Sequence, residues 1–176
     1  MDREKVDTFR YVREMNELLK GDGLFLVSGG KDGKRNIMTI GWGFLGTMWS
    51  RPVCIVAVRH SRHTHKLMEE GKGWTVCLPA KGMATALEFC GTKSGRDVDK
   101  FKEMKLTAKK GVSVDAPYID ECPVHIECKT VFKTDMKPSQ LEASVEKEMY
   151  KTKDFHMIYF GEVQGVYAVK DAAKKM

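Results

Sequence analysis

Seven consecutive residues, Arg59-His60-Ser61-Arg62-His63-Thr64-His65, gather two guanidinium groups, three imidazoles and two hydroxyls. Apolar, mostly β-branched residues precede them at 53–58, and a short helical pattern follows and stops at Gly71. A strand that delivers such a cluster to a helix start brings cations, hydroxyls and free backbone N–H groups together. That combination binds an anion, and a phosphate suits it best. Arg59, Ser61 and Thr64 are the candidate ligands, and the competing reading is a solvated helix start. His60, His63 and His65 also suggest a metal, because residues i and i+3 share a helix face. The absence of a nearby fourth ligand and the repulsion of neighbouring cations rank that reading below the phosphate.

The elements that must position this cluster are legible from apolar period. Residues 2–20 carry Val6, Phe9, Val12, Met15, Leu18 and Leu19 at helical spacing, closed by Gly21-Asp22-Gly23. Strands are expected at 24–28 and 36–45, joined by a glycine-rich turn at 29–34 into a hairpin. Gly41, Gly43 and Gly46 interrupt the second strand, which signals a bulge or a close backbone approach. A strand at 74–78, a helix at 81–89, a loop at 91–95 and a short helix at 97–104 follow. Residues 105–121 read as irregular, with short strands at most. Val124, Ile126, Cys128 and Thr130 alternate as a half-buried strand. Pro138-Ser139 opens a further helix, with Ser139 and Glu142 at capping-box spacing. A long strand at 155–169 bends near Gly161 and Gly165, and 170–176 is a Lys-rich tail. About seven strands with short helices between them suit a small antiparallel barrel. No G-x-G-x-x-G follows a strand, which disfavours a Rossmann sheet.

The 176 residues fit one domain, 1–176, and 42% hydrophobic with 31% charged residues is an ordinary globular balance. No run approaches a membrane span, and the mixed-charge start carries no signal-peptide pattern. Five cysteines at 54, 77, 90, 122 and 128 form no C-x-x-C pair, which points to free thiols in a reducing cytoplasm. The net charge of +6 raises a nucleic-acid-binding barrel as an alternative. Acids interspersed among the lysines, without interleaved aromatics, argue against it.

Four segments stand out together: Asn36-Ile37-Met38-Thr39-Ile40-Gly41-Trp42, the 59–64 cluster, Gly91-Thr92-Lys93-Ser94-Gly95-Arg96-Asp97-Val98-Asp99-Lys100-Phe101, and His156-Met157-Ile158-Tyr159-Phe160-Gly161-Glu162-Val163. This set resembles the flavin reductase-like, FMN-binding split-barrel family, and within it the flavoredoxin branch, over about residues 23–169. The S-G-R-D-x-D-K-F run and H-x-x-x-x-G-E-V carry most of the likeness. The resemblance implies a mainly β, six-stranded antiparallel split barrel of Greek-key type with short flanking helices. It also implies a homodimer with FMN near the interface.

By that resemblance, Asn36, Met38, Thr39 and Ile40 border the flavin. Thr39 points to the opposite side from the other three. Trp42 is a candidate to stack on the ring, although an aromatic in a barrel also serves as core. Ser94, Gly95 and Lys100 reach the cofactor from the loop after the second helix, with Lys100 expected to favour negative charge on the reduced ring. Cys77 stands where the family commonly shows Asn, which leaves only its backbone as a contact. His156 is the candidate catalytic residue, placed to move a proton. The implied activity is an FMN-dependent oxidoreductase that passes electrons from NAD(P)H to a flavin, ferric or protein acceptor. The alternative within the fold is an electron carrier without NAD(P)H activity.

Overall fold

The computed structural model of the chain describes residues 2–29 and 33–176. Along the chain run β1 Glu4–Val6, α1 Val12–Lys20, β2 Leu24–Gly29, β3 Arg35–Ile40, β4 Gly43–Met48, β5 Arg51–Arg59, α2 His63–Glu70 and β6 Gly73–Leu78. There follow α3 Ala84–Thr92, α4 Lys100–Glu103, β7 Ala108–Lys109, β8 Tyr118–Ile119, β9 Val124–Asp135, α5 Ala143–Met149, β10 His156–Ala168 and α6 Ala172–Lys175. One antiparallel sheet runs β3-β2-β6-β9-β10-β5-β4, with β1 on β10, and β7 pairs β8 separately.

Strand alternation divides the interior into two cores. Leu24 and Leu26, Trp74 and Val76, Ile126 and Cys128 all face one cluster. Met38 and Ile40 of β3 share that cluster with Val56 and Val58 of β5. The two ends of the strand path therefore meet across one interior, which is the expected antiparallel split barrel with short helices around it. The opposite faces of β2, β3 and β6 send Phe25, Val27, Ile37 and Cys77 into a second cluster beneath Leu87 and Cys90 of α3.

Several boundaries differ from expectation. The helix expected over 2–20 begins only at Val12, and Glu4–Val6 instead pairs antiparallel with the end of β10. There it satisfies backbone groups that β5 does not reach. The strand expected over 36–45 is two strands. β3 stops at Ile40, and the glycines release the chain across to β5, where Gly43 faces Val56 and Met48 faces Arg51. The hairpin turn's residues 30–32 lie outside the described residues.

α3 starts later than expected and takes Gly91 and Thr92 from the expected loop. α4 is a single turn capped by Asp99, whose carboxylate accepts from Phe101 N at 3.0 Å. The Ser139–Glu142 box does not form. A 3-10 turn occupies Pro138–Gln140, and Glu142 itself caps α5 by accepting from Ser144 N at 2.9 Å. The tail carries the short α6, whose Ala172 is buried. β10 shifts register at Gly161 and Gly165. At Gly161 a Cβ would fall 2.3 Å from Cζ2 of the buried Trp74 ring, so only glycine lets the bend pass. All five cysteines are free and buried. Among the described residues, no helix is long and apolar enough to cross a membrane.

Candidate functional site

β5 ends at Arg59 and α2 begins at His63, so the cluster sits at the junction foreseen from the sequence. Arg62 is the N-cap residue, in extended conformation and without a side-chain cap bond. The first turn of α2 thus keeps N–H groups for another acceptor. A cavity opens there, lined by Asn36 and Met38, by 61–64 and by 92–96, with Lys100. A second cavity of about 470 Å³ lies alongside, lined by Met38, Thr39, Ile40, Trp42, Arg59 and His156 among others. Met38, Ser61 and Arg62 border both, so the two cavities adjoin across these residues in one cleft.

One end of the cleft is basic. Lys100 is 4% exposed, and its ammonium donates to Ile37 O and Cys90 O, each at 2.8 Å. Burial pushes its pKa down to about 8, with the Arg62 charge adding to the effect. Arg96 donates to Ser61 O at 3.0 Å and ties the 94–96 loop to the cluster. Asn36 is buried and donates from Nδ2 to Thr64 Oγ1 at 2.8 Å. Gly95 lies directly over it: a Cβ there would stand 2.0 Å from Asn36 Oδ1. Asn36 therefore braces α2 against the loop. The His63 ring lines this end, and its Nδ1 is buried without a partner among the described residues. Burial, then Arg96, Lys66 and Lys100, hold its pKa below the usual imidazole value.

The other end is aromatic. Trp42 is 38% exposed at the rim, with its ring 4.6 Å from that of His156, so it is not plain core. His156 is buried, with Nδ1 2.8 Å from the Tyr150 hydroxyl. Burial and the nearby Arg59 charge push its pKa down to about 4. The imidazole is therefore neutral near pH 7. Arg59 lines the cavity, but its guanidinium is engaged by Asp154 O at 2.5 Å and Met149 O at 3.0 Å. Ser61 Oγ donates to Asp154 Oδ2 at 2.6 Å. Thr39 lines this cavity, while its hydroxyl donates to Leu87 O of α3 on the other side.

Cations and an uncapped helix start at one end, with exposed aromatic and apolar surface at the other, suit a ligand with a terminal anion and a flat ring. Residues 21–176 match the model of the flavin reductase like domain. The chain belongs to that family. Flavoredoxin of Desulfovibrio vulgaris (Miyazaki F) is 26% identical with a TM-score of 0.65, over 84% of this chain and 70% of that one. An FMN-binding domain of a flavin reductases-like enzyme from Shewanella baltica OS155 shares the fold at 18% identity and a TM-score of 0.66, over 95% and 77% of the two chains. An uncharacterised protein of Archaeoglobus fulgidus is 33% identical over 98 residues, which span 56% of this chain and 55% of that protein's length.

Within this flavin reductase-like chain, the cleft brings together every candidate residue except Cys77. Asn36, Thr64, Ser94, Gly95 and Lys100 line the basic end, and Thr39, Ile40, Trp42, Arg59 and His156 the aromatic end. Met38 and Ser61 stand between them. Lys100 lines the basic end, and Trp42 and His156 line the aromatic end. Cys77 is turned into the second core, where its thiol accepts from Ile119 N at 3.5 Å. The three imidazoles of H-x-x-H-x-H do not converge on one point: His63 faces the cleft, whereas His60, paired with Asp135 at 2.7 Å, lies with its ring 4.6 Å from that of His65, which also borders the Tyr159 ring. The sequence pattern assigned no role to Arg62, Arg96, Tyr150 or Asp154, and offered His63 only as a metal ligand. Arg62 lies inside the very cluster that was singled out, so cationic type at a helix start was the available signal.

Proposed function

We propose that the cleft holds FMN, with its phosphate at the basic end and its isoalloxazine ring beside Trp42 and His156. The observation that carries this reading is the adjacency, across Met38, Ser61 and Arg62, of a cationic helix start and an aromatic-lined cavity. Arg62, Lys100, Arg96 and the first-turn N–H groups of α2 supply the anion's contacts, and Ser94 adds a hydroxyl. When bound, the flavin supplies hydride and electron transfer, from NAD(P)H to a flavin, ferric or protein acceptor. This chain's residues orient the ring, and His156 offers a neutral imidazole rather than an acid. The five free, buried thiols support a reducing, cytoplasmic setting for a single domain.

A second copy of the chain is the proposed cover for the aromatic end. An apolar cavity lined by Trp42, Phe44, Ile55, Ala57 and Ile158 adjoins the cleft. Its face continues to Trp49 and Phe132, which are 53% and 46% exposed. Symmetric pairing buries such a face and walls the flavin end. Sedimentation should report a dimer, and Phe132→Glu should shift it to monomer with release of flavin. A wild-type monomer that retains FMN contradicts the shared wall.

Anaerobic mixing of FMN-loaded protein with NADH or NADPH tests the activity. Bleaching of the flavin band is expected, at a rate without a His156 titration between about pH 6 and 8, because that group titrates near 4. Reduction by dithionite but by neither nicotinamide would favour the electron-carrier alternative.

A further inference from the structure

We propose that Tyr150 is a positioning residue that fixes His156 in one tautomer, with the ring proton on Nε2 and directed to the cleft, and that Arg59 is the clamp that keeps Tyr150 in place. The hydroxyl of Tyr150 stands 2.8 Å from His156 Nδ1 and 2.7 Å from Met136 Sδ. A phenol has one proton to give. An imidazole nitrogen is a much better acceptor than a thioether, so the O–H goes to Nδ1 and the sulfur remains a soft contact. An accepting Nδ1 carries no proton, which leaves the neutral ring's single N–H on Nε2. Tyr150 and His156 are 1% and 8% exposed, so water competes poorly for the bond.

The groups facing the imidazole support the neutral ring. Arg59, Arg62 and His60 disfavour a second proton, and the opposing carboxylate, Asp154, is engaged with Ser61. Tyr150 itself is held from two sides. The Arg59 guanidinium lies 5.2 Å from its ring centroid, and the Phe155 ring stacks on it at 4.8 Å. The same guanidinium binds Met149 O and Asp154 O, which draws the whole segment from α5 to β10 onto the end of β5. Arg59 thus acts on the cleft through Tyr150 and His156, and not only as a cation near an anion.

What His156 presents is then a fixed hydrogen-bond donor. It favours a carbonyl oxygen or an unprotonated ring nitrogen over an N–H edge. That preference rests on the FMN reading, but the tautomer is a property of the protein alone.

Long-range proton–nitrogen NMR on protein labelled with 15N-histidine, without FMN, tests it. At pH 7 the wild type should show His156 with a protonated Nε2 and an unprotonated Nδ1, unchanged between about pH 5.5 and 8. Tyr150→Phe keeps the ring and its packing but removes the donor. Its His156 signals should move toward the average of two tautomers, and its pKa should rise. Arg59→Met should move them the same way by less. A wild-type His156 protonated on Nδ1 or on both nitrogens overturns the proposal, even if neither variant folds. So do Tyr150→Phe spectra identical to wild type. Loss of FMN binding with the expected tautomer intact would count against the FMN reading only.

Discussion

A Lys100→Met variant is expected to bind FMN about ten- to a hundredfold more weakly than the wild type, with riboflavin affinity unchanged. The estimate is the usual worth of a charge-assisted contact, about 1.5–3 kcal/mol. Lys100 uses two of its donors on Ile37 O and Cys90 O and lines the basic cavity beside Ser94 and Arg62. With the phosphate at the basic end, as proposed, its charge serves the phosphate and not the ring, so riboflavin should not register the loss. The wild type should also lose FMN affinity as pH rises through about 8, where the buried ammonium deprotonates. The variant should lack that step. Stability moves the other way. The folded pKa of about 8 lies below the unfolded value of about 10.4, so between them the unfolded chain binds more protons. The cost of burying the charge is fully present below about pH 8 and is relieved as pH rises through that window. Equilibrium dialysis and denaturant melts across pH measure both signs. Equal losses for FMN and riboflavin would place Lys100 beside the ring.

Gly95→Ala is expected to cost about 1–3 kcal/mol of stability, the range for forcing an extra group into a packed site. It should also lower FMN affinity by about tenfold or more. The added methyl would meet Asn36 Oδ1 at 2.0 Å and Cγ at 2.7 Å. Asn36 has little room to retreat, because it is buried and its amide donates to Thr64. Either that bond breaks or the 94–96 loop lifts, and both open the basic end. Thermal melts with and without FMN separate the two effects. An unchanged melting temperature and affinity would mean that the loop and Asn36 yield freely.

The strand over 53–58, the helix stop at Gly71 and the alternation of Asn36, Met38 and Ile40 were legible because each is a local pattern with one dominant period. The first eleven residues were not. Val6 and Phe9 fit a helical face, and only the free end of β10 makes β1 a strand. Gly41 and Gly43 announced an irregularity, but no local signal says that the chain crosses there from β2 to β5. Cys77 shows the limit of face parity. Trp74 and Val76 point into the barrel, so Cys77 had to point away, but the second core that receives it is built from α3 and residues beyond 100. Arg59 was recognisable as a cation at a strand end. Its partners are carbonyls of Met149 and Asp154, far along the chain, and no spacing rule reaches them.

The most direct test of the account is an FMN titration of the protein, followed by flavin absorbance and equilibrium dialysis, with riboflavin in parallel. Saturable binding of one FMN per chain is expected, with riboflavin weaker by at least the tenfold that one charge-assisted contact is worth. Absence of FMN binding, or riboflavin bound as tightly as FMN, would contradict it.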